Sequence, residues 1–238
     1  LRFFLFFLSF IELVVLEKSE IFNLKQINEG GESFIYDYDA RSVVKVFKET
    51  EINVSLKNKI IAKLMKKNKL LNQINEQNRA NGIKYKYIIP SKLFIDKNSK
   101  NVFAYLMEKV NGKPISTLRD KSQVEALGFT KQDVLEILIT VGEGIEALHE
   151  KANIYIGDLN GRNILFDTNK NVYFLDFDGM GVDEIKPEFC TDGYIDPISK
   201  KNKNITMDDD WYSFAIQAFY YLTYTHPFNG LYTIKENL

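Results

Sequence analysis

The sequence predicts an α+β fold in which a small sheet-rich part precedes a larger helical part. Residues 20–48 contain short runs of β-branched and aromatic residues separated by turn residues, a pattern typical of an antiparallel three-stranded meander. From residue 54 onward, apolar residues mostly recur at helical spacing. This change of period divides the chain and places its strands mainly in the first half.

One long amphipathic helix is predicted directly after the meander, over residues 54–74. Its apolar side chains recur at helical spacing and are separated by lysines, which indicates a solvated basic face rather than a nucleic-acid site. Two further strands are predicted in "YKYIIPSKLFID" and "NVFAYLMEKV", on either side of the turn "KNSKN".

Two long helices are predicted in the second half of the chain. Thr130 and Asp133 have the spacing of a capping box ahead of an apolar stripe that continues to Leu148. Another helix is expected to begin near Asp209 or Asp210 and to end before Pro227.

Composition sets limits on size, compartment and partners. The chain has 238 residues, of which 45% are hydrophobic, so it can bury a sizeable core. Its formal charge of -1 argues against a surface field suited to nucleic acid, and no nucleic-acid partner is expected. The single cysteine, Cys190, excludes an internal disulfide, and a cytoplasmic location is expected.

The first 16 residues form a nearly continuous apolar run. This run is shorter than the roughly 20 residues that span a bilayer, and it contains Glu12. We favour a leading strand or helix that packs on the domain over an anchor or targeting segment. Membrane association is expected only through this segment.

The stretch "GDLNGRNIL", followed by "FLDFDG", resembles the catalytic loop and the metal-binding segment of the protein kinase family. In that family the loop reads H-R-D-L-x-x-x-N and the later segment reads D-F-G. Asp158 and Asn163 keep the five-residue spacing, and Asp176 begins "DFD". The resemblance implies that Asn163 and Asp176 bind Mg²⁺ and that Asp158 orients or deprotonates the attacking hydroxyl.

Segments upstream of this loop resemble the nucleotide-binding part of the same family. "INEGGESFIY" is similar to the glycine-rich loop, with Gly30 and Gly31 close to the phosphates of ATP. "VVKVFK" is similar to the V-A-I-K strand, which implies that Lys45 pairs with the α and β phosphates. "YLMEKVNGKPI" resembles the hinge, and the implied adenine contacts are Met107 and Glu108 to Val110.

The resemblance covers roughly residues 20 to 230 and implies a two-lobed kinase-like fold. "TDGYIDP" resembles the end of the activation segment, and "DDWYSFAIQAFYYLTYTHPF" resembles the central helix of the second lobe. The expected divisions are residues 1–19, an apolar leader of uncertain role, residues 20–109, the N-lobe, and residues 110–238, a C-lobe that looks short or truncated.

Several positions depart from the family's motifs. Ile156 and Gly157 stand where His and Arg would be, so activation by loop phosphorylation is not expected. Asn160 and Gly161 replace the lysine and proline that follow the catalytic aspartate. Asp178 replaces the glycine of D-F-G, which adds a third carboxylate to the expected metal site.

The usual helix glutamate that pairs with the strand lysine is missing. Residues 54–75 contain no acid, and Glu76 is the first one, while Glu49 and Glu51 precede the helix. Either one of these acids substitutes for the usual partner of Lys45, or Lys45 is held in another way.

These observations predict an ATP- and Mg²⁺-dependent kinase that phosphorylates a Ser or Thr hydroxyl of a protein. The retention of Lys45, Asp158, Asn163 and Asp176 favours catalysis. The missing helix glutamate and the altered glycine loop favour the alternative of a nucleotide-binding pseudokinase or regulatory module. A small-molecule kinase, which has a similar catalytic loop, is the third reading.

Overall fold

The computed structural model describes residues 12–31, 33–48, 54–187, 191–202 and 204–229. Its first part is a six-stranded sheet with the order β1-β6-β7-β4-β3-β2. The strands of this sheet are β1 (Glu12–Leu16), β2 (Lys25–Glu29), β3 (Ser33–Asp37), β4 (Ser42–Phe47), β6 (Lys92–Asp96) and β7 (Val102–Glu108).

The predicted meander is confirmed as β2, β3 and β4, which pair antiparallel. Strand β4 lies inside the sheet, between β3 and β7, and Lys45 is paired with Ile35 on one side and with Tyr105 on the other. Because side chains alternate along a strand, Lys45 shares a face with Val43, whereas Val44 packs in the core on the opposite face.

The first described residues add an edge to this sheet. Strand β1 pairs parallel with β6, and the short helix α1 (Lys18–Phe22) buries Ile21 against the sheet face that carries Val44. A leading strand is therefore present over Glu12–Leu16, within the segment that sequence analysis treated as a leader. Residues 1–11 lie outside the described part of the chain.

The long helix α2 runs over Val54–Ala80, six residues beyond its predicted end. A stripe of asparagines on this helix binds the backbone of the segment that follows. Asn75 donates to the carbonyl of Tyr87 and accepts from its N–H, both at 2.9 Å, and Asn78 donates to the carbonyl of Tyr85 at 3.1 Å. Asn68 donates in the same way to the carbonyl of Pro90 at 3.0 Å.

The predicted strand "YKYIIPSKLFID" is divided in two at Pro90. Its second part is β6 in the first sheet, whereas β5 (Tyr85–Tyr87) pairs parallel with β11 in a second sheet of order β5-β11-β10-β8. The remaining strands are β8 (Lys113–Pro114), β9 (Ile154–Tyr155), β10 (Ile164–Phe166), β11 (Val172–Phe174) and β12 (Gly181–Val182).

Helices dominate the second part of the chain, as predicted. They are α3 (Lys121–Ala126), α4 (Lys131–Ala147), α5 (Pro197–Asn202) and α6 (Met207–Thr223). The capping box of Thr130 and Asp133 is confirmed, with both reciprocal bonds present. Helix α6 begins slightly earlier than predicted because Thr206 and Asp209 form a second capping box.

The largest hydrophobic core lies between these helices and the second sheet. It contains apolar side chains of α2, α4 and α6 together with Phe166 and Phe174 of the β10–β11 hairpin. The described helices include none that is both long and apolar enough to span a bilayer. The single cysteine, Cys190, lies outside the described residues.

The start of α4 provides a pH-dependent test of the fold. Asp133 accepts from the N–H and hydroxyl of Thr130 and from Lys170 Nζ at 2.8 Å, and these bonds, led by that of Lys170, hold the pKa of Asp133 below its usual 3.8. A carboxylate with a lowered folded-state pKa stabilises the fold above its unfolded pKa and loses this contribution as the pH falls. We therefore expect Asp133→Asn to lower Tm by a constant amount between pH 7 and about pH 5.

The difference in Tm between the two proteins should shrink only as the pH falls below about 4. Thermal denaturation of both proteins across this pH range measures it. Asp208→Asn, at an exposed position in the first turn of α6, is the matched control. A Tm difference for Asp133→Asn that does not change down to pH 3 would contradict the assignment.

Candidate active site

A buried carboxylate binds the backbone at the start of the loop that carries Asp158. Asp210, at the start of α6, accepts hydrogen bonds from the N–H groups of Ile156 and Gly157, both at 2.7 Å, and lies 2.8 Å from His149 Nε2. Its side chain is 1% exposed. Sequence analysis had identified Asp210 only as a helix-start residue, and the structure shows that it fixes the backbone entering the loop.

Two glycines in this loop are explained by close packing. Gly157 has φ +69°, and a Cβ on it would lie 2.2 Å from Cγ of Pro187. A Cβ on Gly161 would lie 2.5 Å from the hydroxyl of Tyr221 and 2.9 Å from the backbone nitrogen of Ser116. Both positions therefore need a residue without a side chain, which accounts for two of the departures from the family's loop.

Both carboxylate oxygens of Asp158 accept hydrogen bonds from neighbouring residues. Asn160 Nδ2 donates to Oδ2 at 2.7 Å, and the N–H and hydroxyl of Thr191 both donate to Oδ1 at 2.7 Å. Sequence analysis assigned Thr191 to the end of the activation segment and predicted no contact with Asp158, from which it lies 33 residues along the chain. These bonds fix the orientation of the carboxylate as a hydrogen-bond acceptor. A group that takes the proton of a hydroxyl must be able to accept a hydrogen bond from it.

Asn163 and Asp176 lie at the two ends of the β10–β11 hairpin. The N–H of Leu175 donates to the carbonyl of Asn163 at 2.9 Å, and Asn163 Nδ2 donates to the carbonyl of Asp158 at 3.3 Å. Asp176 adopts a left-handed backbone conformation, with φ 68°, and its carboxylate is 37% exposed. The hairpin therefore joins the predicted metal ligands to the loop of Asp158.

The oxygens of this pair fit Mg²⁺, which prefers carboxylate and carbonyl oxygens and commonly uses one or two protein carboxylates together with substrate phosphates. Among the described residues there is no cluster of three or more His, Cys, Asp and Glu side chains arranged to hold a metal. The metal-binding roles of Asp176 and Asn163 remain predictions.

Lys45 reaches from the sheet to the segment that contains Asp176. Its Nζ contacts Oδ1 of Asp176 and lies 2.7 Å from Oδ1 of Asp178. The hydroxyl of Tyr105, on the neighbouring strand, donates to the same Asp178 oxygen at 2.7 Å. Lys45 and Asp178 are 8% and 1% exposed, so this ion pair is buried.

Asp178 answers the question of the missing helix glutamate. We expected Asp178 to add a third carboxylate to the metal site. This expectation is wrong, because Asp178 is buried against Lys45 and Tyr105. Glu76 is exposed on α2, and Glu49 and Glu51 lie outside the described residues. Burial, together with the charge of Asp178, raises the pKa of Tyr105 well above its usual 10.0, which keeps its hydroxyl protonated as a donor.

Two lysines of α2 bind the segment that follows Asp178. Lys67 Nζ lies 2.7 Å from Asp183 and also donates to the carbonyl of Ala152, while Lys63 contacts Asp183 and Glu184 at 3.6 and 2.5 Å. The hydrogen bond from Lys67 is the main cause that lowers the pKa of Asp183. The description of this lysine face as merely solvated is therefore wrong at these two positions.

The predicted hinge lies where β7 ends. Met107 is buried, Glu108 is exposed and pairs with Lys86, and Lys109 donates its N–H to the carbonyl of Arg41 at 2.8 Å. Val110 is half-buried, and its N–H makes no hydrogen bond with any residue that the structure describes.

The predicted phosphate loop is the tight turn between β2 and β3. The N–H of Gly30 donates to the carbonyl of Ser33 at 2.9 Å, and the space around Cα of Gly31 is open. The roles predicted for Gly30, Gly31 and the hinge residues remain predictions.

Comparisons with known proteins show which family the sequence matches. A family model described as protein kinase domain matches residues 40–237. Ribosomal protein S6 kinase alpha-3 of Homo sapiens is 34% identical over 108 residues, which are 43% of this chain and 14% of that protein. A serine/threonine-protein kinase-like protein of Arabidopsis thaliana is 34% identical over 88 residues, 34% of this chain and 25% of that protein.

A solved structure shows the same fold. The structure of the Cydia pomonella granulovirus kinase PK-1 aligns with a TM-score of 0.63 at 18% identity, covering 90% of this chain and 75% of that one. The predicted two-lobed α+β architecture is thus confirmed. The chain spans only 14% of the length of the S6 kinases that it matches.

The buried ion pair can be tested without any ligand by a double-mutant cycle. We expect Asp178→Asn and Lys45→Met each to lower the free energy of unfolding by about 3 kcal/mol, since each removes one member of a buried ion pair and leaves the other charge in place. The double variant should lose less than the sum by at least about 1 kcal/mol. Denaturant unfolding measures all four corners of the cycle.

Glu76→Gln is the matched control, because Glu76 is the helix acid that sequence analysis considered for Lys45. Its effect should stay within about 0.5 kcal/mol, with no coupling to Lys45→Met. Additive losses for the Lys45 and Asp178 variants would show that the two side chains do not stabilise each other.

Proposed function

Because the chain belongs to the protein kinase domain family, we propose that it transfers the γ-phosphoryl group of ATP to a Ser or Thr hydroxyl of a protein. The observation that carries this proposal is the meeting of Lys45 from the sheet with Asp176, whose hairpin is joined through Asn163 to the loop that carries the oriented carboxylate of Asp158. A cation, a metal-binding carboxylate and a proton acceptor are the parts that phosphoryl transfer needs from a protein.

Lys45 and the hinge support ATP as the donor. Lys45 is held by Asp178, so its ammonium group is fixed on a central strand beside Asp176, where it can pair with phosphate oxygens. At the end of β7, the N–H of Val110 makes no hydrogen bond with a described residue and offers a donor to a ring nitrogen of a base. These two features bind opposite ends of a nucleotide.

Asp176 and Asn163 would hold Mg²⁺ on the phosphates. The bound ion would supply the positive charge that neutralises charge developing on the transferred group. Within the protein, ion binding at Asp176 would compete with its contact to Lys45, whereas the buried contact of Lys45 with Asp178 could persist. Asp178 would then keep Lys45 in place while Asp176 is engaged.

Asp158 would act on the acceptor hydroxyl. The bond from the γ-phosphorus to the bridging oxygen breaks, a bond from the hydroxyl oxygen forms, and the hydroxyl proton passes to the carboxylate. The hydroxyl of Thr191 donates to Oδ1 at 2.7 Å, which supports an aliphatic hydroxyl as the acceptor type. The S6 kinases and the serine/threonine-protein kinase-like protein among the relatives support the same acceptor.

Phosphoryl transfer from γ-labelled ATP with Mg²⁺ to a generic protein acceptor tests the proposal. We expect Asp158→Asn to reduce the rate by about 10²- to 10⁴-fold, because the proton acceptor is removed. Asp176→Asn should abolish incorporation at a Mg²⁺ concentration that saturates the unaltered protein, since it removes the ion's carboxylate. Asp208→Asn, at an exposed position in the first turn of α6, is the control and should retain the rate.

The outcomes separate the candidate functions. Phosphoserine or phosphothreonine in the acceptor, lost in both active-site variants, supports the protein kinase. A second outcome is that ATP and Mg²⁺ stabilise the protein only when Asp176 is present, while no protein acceptor is labelled. This outcome would replace the protein kinase by a nucleotide-binding regulator or a small-molecule kinase. Labelling that persists in Asp158→Asn at an unchanged rate would contradict the role of Asp158.

A further inference from the structure

Arg119 carries a charge that nothing described in the structure compensates. It ends the short 3-10 helical turn Ile115–Arg119 between β8 and α3, and its side chain is partly buried. Its Nε is buried without a hydrogen-bond partner. Among the described residues the guanidinium has no ion pair, and its contacts are with tyrosine side chains, including a hydrogen bond to Tyr221.

Three tyrosines surround this guanidinium. The ring centroids of Tyr194, Tyr220 and Tyr221 lie 5.1, 5.5 and 5.9 Å from its central carbon. Such contacts attract the cation, but they provide no negative charge to pair with it, and Nε stays without a hydrogen-bond acceptor. Burial raises the pKa of Tyr221 above 10.0 in spite of the opposing effect of Arg119, so this phenol stays neutral and is not a counter-ion.

Two acids that lie close in sequence to Arg119 and to Tyr194 are engaged elsewhere. Asp120 caps α3 by accepting from the N–H and hydroxyl of Ser122 at 2.8 and 2.7 Å. Asp192, two residues before Tyr194, pairs with Lys200. Because a cation taken partly out of water is costly without an anion, this position is suited to a negative group from another molecule.

The position of Arg119 relates it to the acceptor side of the site. Ser116, in the same helical turn, donates its N–H to the carbonyl of Gly161 at 3.0 Å, in the loop of Asp158. Tyr194 donates its N–H to the carbonyl of Thr191 at 3.2 Å, and Thr191 in turn binds Asp158 directly.

A second chain of hydrogen bonds links the three tyrosines around Arg119, the aromatic cage, to the loop of Asp158. Tyr221 donates to Gln217, which donates to the carbonyl of Leu159, the residue after Asp158. The aromatic cage is thus packed against the loop that would receive the hydroxyl.

We propose that Arg119 binds an anionic side chain of the protein acceptor, a few residues from the hydroxyl that is phosphorylated. The ligand chemistry is an oxyanion, either the carboxylate of Asp or Glu or the phosphate of an already phosphorylated residue, which a planar guanidinium binds through paired N–H donors. This proposal rests on the proposed function and specifies its acceptor class.

Synthetic peptides with one serine in an alanine background test the proposal. Glu is placed in turn at each position within about four residues of the serine, and matched peptides carry phosphoserine, Gln or Arg there. We expect Glu at one or two positions to raise kcat/KM about tenfold over Gln. A larger gain for phosphoserine than for Glu identifies phosphate as the preferred anion, and equal gains show that a carboxylate suffices.

Variants at Arg119 are judged by the ratio of Glu to Gln peptides within each protein, so that a change in total activity does not matter. Arg119→Gln should bring the ratio to about one, and Arg119→Glu should invert the preference towards the Arg peptide. Arg119→Lys, which keeps the charge and loses the planar fork, should retain a smaller preference. Arg79→Gln, at an exposed position on α2, is the matched control and should leave the ratio unchanged.

Binding measurements separate this proposal from the proposed function. Peptides in which alanine replaces the acceptor serine are titrated against the unaltered protein and against each variant. If no peptide is phosphorylated but the Glu peptide binds more tightly and depends on Arg119, the proposed function fails and the anion site stands. Equal binding and equal kcat/KM of Glu and Gln peptides at every position, or a preference for Arg, would overturn the anion site.

Discussion

The buried ion pair between Lys45 and Asp178 is the constraint on which the rest of the site depends. Lys45 is in a strand with a neighbour on each side, so its Cα cannot move without disturbing the sheet. A buried ammonium group requires a counter-ion, and the acid that supplies it lies 133 residues further along the chain. The position of the sheet therefore fixes the loop that also carries Asp176.

This arrangement changes the part played by α2. A helix that supplied the partner of Lys45 would have to stay close to the sheet for the lysine to be held. Here α2 instead binds elements outside the first sheet, through Asn75 to the backbone of Tyr87 and through Lys67 to Asp183. Neutral amide pairs at one end and ion pairs at the other attach this helix to strand β5 and to the segment that follows Asp178.

The sequence predicted elements whose signal is local and missed those that depend on distant partners. The capping box of Thr130 and Asp133 lies within four residues, and the start of α4 was predicted correctly from it. The end of α2 was missed because its last turns are held by hydrogen bonds of Asn75 and Asn78 to a strand backbone, and such bonds leave no apolar periodicity in the sequence. Parallel pairing of Tyr85–Tyr87 with β11 likewise has no short-range signature.

The departures from the family's motifs are related in space rather than being separate losses. Gly157, which replaces an arginine, allows Pro187 to pack against the loop, and Asp183 and Glu184, just before that proline, are held by lysines of α2. In the family, this arginine pairs with a phosphate on the activation loop. In this chain, contacts between the residues themselves hold the segment instead. The uncompensated guanidinium is found instead at Arg119, on the acceptor side. Our proposal for Arg119 accordingly directs anion recognition at the acceptor protein.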